Sequence, residues 1–337
     1  MKKVILPGNQ QVQIVDVPEP QPREDWVVVK VHAAPMCTEY KAWMQGHKSE
    51  FLGHEAAGEV VAVAQPGRVK VGDRVVVMPM YPCGKCALCV AGDYIHCEHA
   101  MDVEAFTGMR EGSATYAQYL IKPAWILPLI PEGVSYEHAS LACCALGPSF
   151  GAFQRMGVGV FDTVLVTGLG PVGLGAIVNA RYRGARVIAI ESFPWRVERA
   201  QRMGAIVLDP RDPNTLKQIR ELTNGIGVDY ALDCSGSTAA HRLCIDATRR
   251  RGQFAFVGEC GDALSIYPSN DMIRKGLTIF GSWHYNLSLY PLIMQVIQNS
   301  PFLDVLVSHV MPMNDVAAAF ELQKRGEAAK IILQPWA

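Results

Sequence analysis

Hydrophobic positions follow two different patterns along this chain of 337 residues, one before and one after Phe161. Before Phe161, short runs rich in β-branched residues are separated by turns that contain glycine or proline, a pattern typical of strands. The clearest runs lie at residues 26–33, 58–64 and 74–78. The first part of the chain is therefore predicted to be a compact β-rich body, barrel-like rather than layered with helices.

After Phe161, short apolar runs alternate with segments of helical length. Parallel strands need long crossover connections, usually helices, so this alternation predicts an α/β unit with a doubly wound parallel sheet. The six predicted strands are 163–167, 186–190, 205–208, 229–233, 253–257 and 277–280. Beyond Trp283 the alternation loosens, and the pattern predicts helices at 287–299 and 314–325 and a last strand at 330–333.

The composition excludes several classes of function. Half of the residues are hydrophobic and 19% are charged, which is typical of a globular protein. A formal net charge of −1 provides no basic field to recruit nucleic acid. The longest apolar stretch, 164–180, contains four glycines and a proline and does not read as a membrane span. Ten cysteines without an export signal predict the cytoplasm, a reducing compartment in which thiols bind metals.

Four closely spaced cysteines predict a structural metal site. Cys83, Cys86, Cys89 and Cys97 form a C-x2-C-x2-C-x7-C run. Two-residue gaps let a tight turn direct neighbouring thiolates at one ion, and four thiolates complete a closed tetrahedral zinc site. An iron–sulfur cluster also uses closely spaced cysteines, but the x3-C-Pro ending of the bacterial type is missing here.

A glycine-rich turn between a predicted strand and a predicted helix indicates a dinucleotide site. The motif Gly-x-Gly-x-x-Gly uses its first glycine for the turn, its second for close approach to a pyrophosphate, and its third for helix–strand packing. A proline after the second glycine suits the first turn of a helix, where no N–H donor is needed. The residues predicted to bind the cofactor are Gly168, Gly170, Pro171, Val172 and Gly173.

Glu191 ends the next predicted strand, 18 residues after Gly173. An acid at this point hydrogen-bonds the ribose hydroxyls and would repel a 2′-phosphate, which favours NAD over NADP. Arg196 lies nearby and is included in the predicted cofactor site. Its guanidinium could accept a 2′-phosphate, pack on the adenine or lie in solvent.

A second metal site is suggested by Cys37, after the first long strand, and His54. With a cysteine from the domain junction they would supply two thiolates and one imidazole, leaving a fourth zinc position open. This set and four further features, in order along nearly the whole chain, resemble the zinc-dependent medium-chain dehydrogenase/reductase family of alcohol, polyol and threonine dehydrogenases. The four features are Gly53-His54-Glu55 followed by Gly58, the segment Val71-Gly72-Asp73-Arg74-Val75, the four-cysteine loop, and the glycine turn with Glu191.

The resemblance implies a two-domain α/β architecture and a second zinc ion. A GroES-like catalytic domain, 1–145 and 285–337, would surround a Rossmann domain, 146–284, with the C-terminal tail returning to the first. The third catalytic ligand falls at Cys143 or Cys144: counting forward from residue 133 favours Cys143, and counting back from residue 153 favours Cys144. Glu55 would lie behind the ligands or bind the metal occasionally. Relatives form dimers or tetramers, so a homo-oligomer is expected.

One segment departs from the family pattern. The family has Cys-x-Ser/Thr-Asp, whereas this chain has Cys37-Thr38-Glu39-Tyr40. With one residue deleted, Thr38 becomes the proton-relay hydroxyl and Glu39 the acid that orients the histidine ligand. Without a deletion, Glu39 takes the relay position and Tyr40 replaces the acid.

The resemblance implies a small-molecule substrate and a concrete reaction. It is oxidation of a secondary alcohol or polyol, such as a sugar alcohol or cyclitol, to the ketone by hydride transfer to NAD, with the substrate oxygen on the catalytic zinc. One alternative is a reductase of an aldehyde or sugar-derived carbonyl that uses the same site. The other is a nucleotide-binding structural or sensor protein without catalysis.

Overall fold

The computed structural model describes residues 1–337, and its N-terminal part is rich in β-strands. These strands are β1 (Lys2–Gly8), β2 (Gln11–Asp16), β3 (Trp26–Pro35), β4 (Lys48–Ser49), β5 (Ala56–Ala62), β6 (Arg74–Val77) and β7 (Tyr119–Pro123). Strand β3 is central because it pairs in antiparallel fashion with both β5 and β7, and β5 continues the sheet to β6. Its β-branched residues are buried almost throughout.

Short helices connect these strands and lead into the second half. They are α1 (Glu39–Met44), α2 (Ala87–Val90), α3 (Val103–Thr107), α4 (Tyr136–Ser140) and α5 (Gly147–Met156), with 3-10 turns at Tyr94–His96 and Ala124–Ile126. Helix α1 follows directly after β3, so the end of β3 and the start of α1 form one corner of the molecule.

A six-stranded parallel sheet occupies the middle of the chain. Its strands are β8 (Thr163–Thr167), β9 (Arg186–Ile190), β10 (Ile206–Leu208), β11 (Val228–Asp233), β12 (Thr248–Phe256) and β13 (Thr278–Gly281). The connecting helices are α6 (Pro171–Tyr182), α7 (Pro194–Arg202), α8 (Thr215–Leu222) and α9 (Thr238–Ala247), with a π-helical turn at Pro268–Ile273. The strand order in the sheet is β10-β9-β8-β11-β12-β13. The chain adds strands on one side of β8 up to β10 and then returns to add β11 on its other side, so the switch point lies between β8 and β11. Ligands of such sheets bind beyond the carboxyl ends of the strands at this switch point.

The C-terminal part returns to the N-terminal sheet. It contains α10 (Tyr290–Asn299), α11 (Leu303–Leu306), β14 (Val307–Pro312), α12 (Val316–Lys324) and β15 (Lys330–Gln334), with 3-10 turns at Leu287–Leu289 and Met313–Asp315. Strand β15 pairs with β14 on one side and with β3 on the other. The end of the chain therefore lies beside the corner formed by β3 and α1.

These elements confirm the predicted α/β class, with a parallel Rossmann sheet and a separate β-rich part. The predicted domain boundaries stay a prediction. Two elements differ from the predicted bounds by more than two residues at one end. Strand β12 begins five residues before the predicted strand, because Thr248 already pairs with Val228 of β11; residues 249–252 then bulge out before pairing resumes at Gln253. The predicted helix 287–299 begins as a 3-10 turn, and α10 starts beside Pro291, because proline fits only the first turn of a helix.

One apolar core runs through both parts of the molecule. It extends from Met78 near β6 through Leu146 and Phe150 to Val166 in the parallel sheet. A second core surrounds β3 and β15. Because buried interiors are close-packed, the shared core holds the carboxyl edge of the parallel sheet in a fixed position against the β3–α1 corner. None of the helices combines the length and apolarity that a bilayer-crossing segment requires.

Candidate active site and metal clusters

Four potential metal ligands from distant parts of the sequence meet near the end of β3. Ligand atoms of Cys37, His54, Glu55 and Cys144 all lie within 4.8 Å of one another. His54 Nε2 is 3.2 Å from Cys144 Sγ. Cys37 follows β3, His54 and Glu55 precede β5, and Cys144 precedes α5. The structure therefore brings together the residues that the resemblance assigned to a catalytic metal.

Of the two cysteines left open by the sequence, Cys144 reaches this cluster and Cys143 does not. Cys143 is fully buried, and its Sγ donates to the carbonyl oxygen of Val77 at 3.4 Å. Neighbouring residues of a helical turn point in different directions, so only one of the two thiols can face the other ligands. The residue that faces them is Cys144.

Glu39 is fixed behind His54. Its Oε1 lies 2.9 Å from His54 Nδ1, and its Oε2 accepts hydrogen bonds from Tyr116 Oη at 3.0 Å and from the backbone N–H of Cys37 at 2.8 Å. Burial raises the pKa of Glu39, but the contact with His54 outweighs burial and lowers the pKa to about 2. Glu39 is therefore a carboxylate that orients the ring, with Nε2 directed at the cluster.

This arrangement matches the alignment with one deleted residue. Glu39 contacts the histidine, whereas Tyr40 borders the dinucleotide cleft and makes no contact with His54. Thr38 precedes α1, and its hydroxyl makes no capping hydrogen bond. It borders both cavities described below, as a proton-relay residue must.

A buried ion pair supports the cluster from the other side. Glu55 Oε1 lies 2.5 Å from Lys330 Nζ in β15, and both side chains are fully buried. Glu55 Oε2 accepts the backbone N–H of Cys144 at 3.0 Å. An unpaired buried charge costs several kcal/mol, so each member of this pair requires the other. The pair ties β15 and the Cys144 turn to the segment before β5 that carries His54.

The donor set at this cluster fits zinc. A hydrogen bond with Cys144 lowers the pKa of Cys37 well below its usual range, which favours the thiolate form that binds a metal. Two sulfur atoms and one imidazole nitrogen are ligands that zinc prefers, and three protein ligands leave one position open for a small molecule.

The four-cysteine loop forms a second cluster. The sulfur atoms of Cys83, Cys86, Cys89 and Cys97 lie within 4.8 Å of one another. Backbone N–H groups of Cys83 and His99 donate to Cys97 Sγ at 3.3 and 3.4 Å. A backbone hydrogen bond at Cys89 lowers the pKa of Cys86 to about 6. Four cysteine sulfurs in this arrangement fit a closed, structural zinc site.

The glycine turn borders an open cleft at the carboxyl end of β8. Gly168 has φ +79°, a conformation that favours glycine, and a Cβ on Gly173 would lie 1.9 Å from the Gly168 carbonyl oxygen. A Cβ on Gly170 would meet only open space, and Gly170, the N-cap residue of α6, makes no side-chain hydrogen bond to the first N–H groups of the helix. Free N–H groups beside an open cleft suit a pyrophosphate.

Glu191 and Arg196 stand together at the far end of this cleft. Glu191 accepts backbone N–H groups of Leu169 at 3.0 Å, Ser192 at 2.7 Å and Phe193 at 3.0 Å, which holds its carboxylate rigidly. The Arg196 side chain is 11% exposed and lies 3.9 Å from Glu191 Oε2, so it does not lie in solvent. Its buried Nε has no partner within the chain. This orphaned donor fits a polar ligand in the cleft.

Two neighbouring cavities join these features. The dinucleotide cleft has a volume of 280 Å³ and is bordered by the glycine turn, Glu191 and Arg196. A reaction cavity of 390 Å³ is bordered by Cys37, His54 and Cys144. Both cavities share Cys37, Thr38, Lys41, Val172, Cys234 and Ser235. A ligand in the cleft would therefore adjoin a ligand at the cluster.

Several residues of the site were not among the predicted ligands or cofactor contacts. Lys41 borders both cavities, and its side chain is exposed. Tyr116 donates a hydrogen bond to Glu39, and Lys330 pairs with Glu55. His284 borders the reaction cavity with Nδ1 2.9 Å from Tyr94 Oη, and burial lowers its pKa to about 3, so its ring is neutral. Two of these residues had a possible signal: His284 lies near the predicted return to the catalytic domain, and Lys330 starts an apolar strand in which an unpaired charge would be costly.

Comparison with known proteins adds independent findings. Residues 23–132 match the alcohol dehydrogenase GroES-like domain, and residues 171–299 match the zinc-binding dehydrogenase family. The chain is 31% identical to an uncharacterized zinc-type alcohol dehydrogenase-like protein, YphC, of Escherichia coli, over 97% of this chain and 94% of that protein. It is 30% identical to a sorbitol dehydrogenase of Halalkalibacterium halodurans, over 97% of both chains. An alcohol dehydrogenase structure from Thermus sp. ATN1 superposes with a TM-score of 0.87 at 28% identity, covering 99% of both chains.

Proposed function

The chain belongs to the zinc-dependent medium-chain dehydrogenase/reductase family, and from that premise we propose that it oxidises a secondary alcohol or polyol to the ketone with NAD. One observation carries the proposal. The sulfur–imidazole cluster and the glycine turn border adjoining cavities that share Cys37, Thr38 and Val172. Similarity to a sorbitol dehydrogenase supports a polyol as the substrate class.

Each residue of the cluster has a separate task in this proposal. Zinc held by Cys37, His54 and Cys144 would supply a Lewis acid, and NAD along the glycine turn would supply a hydride acceptor. Glu39 keeps His54 Nε2 turned toward the two sulfurs. Glu55 and Lys330 hold the Cys144 turn in register with β5. Such supporting contacts fix the orientation of metal ligands.

The proton of the substrate hydroxyl would pass to Thr38 Oγ1. Thr38 is exposed, makes no capping hydrogen bond and borders both cavities, so its hydroxyl is free to accept a proton and donate one onward. Glu39 is unsuited to this task because it is buried and its carboxylate is occupied by His54, Tyr116 and the backbone of Cys37.

A substrate screen tests the proposed function. Short alcohols, polyols, inositols and threonine would be offered with NAD while NADH absorbance is followed. We expect turnover of at least one secondary alcohol or polyol, and loss of that turnover when a chelator removes zinc. Absence of turnover with every class, in protein that carries its full zinc and binds NAD, would contradict a dehydrogenase.

We expect a preference for NAD over NADP of at least about tenfold in kcat/KM, because a 2′-phosphate would face the buried carboxylate of Glu191. Glu191→Gln should reduce this preference. Glu221→Gln is the matched control, since Glu221 is an exposed acid of α8 that borders neither of the cavities lined by Glu191. Higher kcat/KM with NADP in the wild-type enzyme would refute the role given to Glu191.

Tyr116→Phe should accelerate zinc loss from the catalytic cluster by about tenfold, because loss of a supporting hydrogen bond weakens metal sites by about 10–100-fold. The variant removes only the hydroxyl that donates to Glu39. Zinc release would be measured by competition with a chromogenic chelator. Tyr119→Phe is the control, because Tyr119 packs edge-to-face on Trp336 and is remote from Glu39. Equal release rates in both variants would mean that Tyr116 does not position Glu39.

A further inference from the structure

A polar cavity lies at the amino-terminal edge of the parallel sheet, opposite the edge that carries the glycine turn. Its volume is 250 Å³, and it is bordered by the starts of β11 and β12 and the ends of α8 and α9. Five basic side chains line it: Arg220, Arg249, Arg250, Arg274 and Lys275. No residue of the proposed active site borders this cavity.

The acidic residues around this cavity are already paired. Asp229 binds Arg249 at 2.6 Å, and Asp246 and Asp271 both bind Arg242, at 2.6 and 2.7 Å. Asp246 is the only acidic residue that lines the cavity itself. The carboxylates therefore neutralise Arg249 and Arg242 and leave the remaining basic side chains unbalanced.

Three arginines remain without a carboxylate partner. Arg220 and Arg250 make no side-chain hydrogen bond or ion pair within the protein, and Arg274 donates only to the side-chain oxygen of Asn270, at 2.8 Å. Lys275 Nζ contacts the backbone carbonyl oxygens at the end of α9. This concentration of positive charge occurs in a chain whose net charge is −1.

The backbone of β12 bulges at the segment that carries Arg249 and Arg250. Val228 pairs with Thr248, and Tyr230 pairs with Gln253, so two steps along β11 correspond to five along β12. The intervening loop contains Arg251 at φ +58°. A left-handed conformation is strained for a residue other than glycine, and such strain concentrates at functional sites.

We propose that this cavity binds a small molecule with two or more phosphate groups. Arginine guanidinium groups recognise phosphate through paired N–H donors. The cavity is lined by only two hydrophobic residues and by no aromatic side chain, which disfavours a peptide and the base stacking by which single-stranded nucleic acid binds. Its volume suits a compact polyanion.

Inorganic pyrophosphate is the probe, and isothermal titration calorimetry on the full-length protein is the measurement. We expect a Kd below about 1 mM for the wild type, and at least about tenfold weaker binding by the double variant Arg220→Gln/Arg250→Gln. The matched control is Arg68→Gln/Arg202→Gln, which removes two exposed, unpaired arginines elsewhere and should leave the Kd within about twofold.

Three outcomes would overturn the proposal. Equal Kd values for the wild type and both double variants would locate the pyrophosphate elsewhere, for example at the glycine turn. Inorganic phosphate binding as tightly as pyrophosphate would remove the requirement for two anionic groups. A single-stranded oligonucleotide that binds more tightly than pyrophosphate, and loses affinity in the Arg220/Arg250 variant only, would identify a nucleic-acid surface instead.

Discussion

Cys37→Ser is expected to lower kcat by more than about 100-fold and to reduce the zinc content from two ions per chain to one. Removal of even a supporting contact of a metal ligand costs about 10–100-fold, and loss of a ligand should cost more. NAD should still bind, because the glycine turn and Glu191 belong to the other part of the chain. Activity and zinc content would be measured on the same preparation.

Matched cysteine variants make this result specific. Cys144→Ser should behave like Cys37→Ser, because both sulfurs belong to one cluster. Cys143→Ser should keep two zinc ions, because its thiol contacts the Val77 carbonyl. Cys260→Ser controls for loss of a surface thiol. Residual activity above about one tenth of wild type in Cys37→Ser would count against Cys37 as a ligand.

Cys89→Ser is expected to lower Tm by at least about 5 °C, with activity failing as a secondary effect. The loop from Cys83 to Cys97 contains only a four-residue helix and a 3-10 turn, and apart from Cys89 only Tyr94 and Ile95 are buried, so we expect the four cysteines to depend on metal ligation for stability. Loss of several kcal/mol corresponds to a shift of this size or larger in a protein of more than 150 residues. Thermal unfolding and zinc content of the purified variant are the measurements.

The control for Cys89→Ser is again Cys260→Ser, which should melt like the wild type. A Cys89→Ser variant that melts like the wild type would show that the loop does not depend on metal. We expect Cys89→Ser to lose one zinc ion and to melt at a lower temperature. If a chelator then abolishes the activity that remains, the structural and the catalytic zinc sites are separate.

Strands with continuous apolar runs were predictable to the residue. β8 and β9 begin and end where the sequence predicts, because both are central and buried on two sides. β12 was predicted too short, because Arg249, Arg250 and Arg251 read as a polar turn although part of this segment is strand. Backbone pairing at a bulge depends on the neighbouring strand and leaves no pattern in local hydrophobicity.

The residues that form the cluster were predictable in type, whereas their supporting contacts were not. Cysteine and histidine carry recognisable chemistry, so Cys37 and His54 could be singled out, but spacing alone did not separate Cys143 from Cys144. A step of one residue in a helical turn rotates a side chain by about 100°, so a one-residue uncertainty in counting changes the ligand. Tyr116 and Lys330 meet their carboxylates across 77 and 275 sequence positions, contacts that only the tertiary structure reveals.

Anomalous X-ray scattering from crystals of the wild-type protein, recorded at the zinc absorption edge, tests the central claim most directly. We predict two peaks per chain. One should lie about 2.3 Å from the sulfurs of Cys37 and Cys144 and about 2.0–2.1 Å from His54 Nε2, and the other among the four cysteines of the loop. A single peak at the four-cysteine loop, in crystals of zinc-replete protein that turns over an alcohol, would contradict the account.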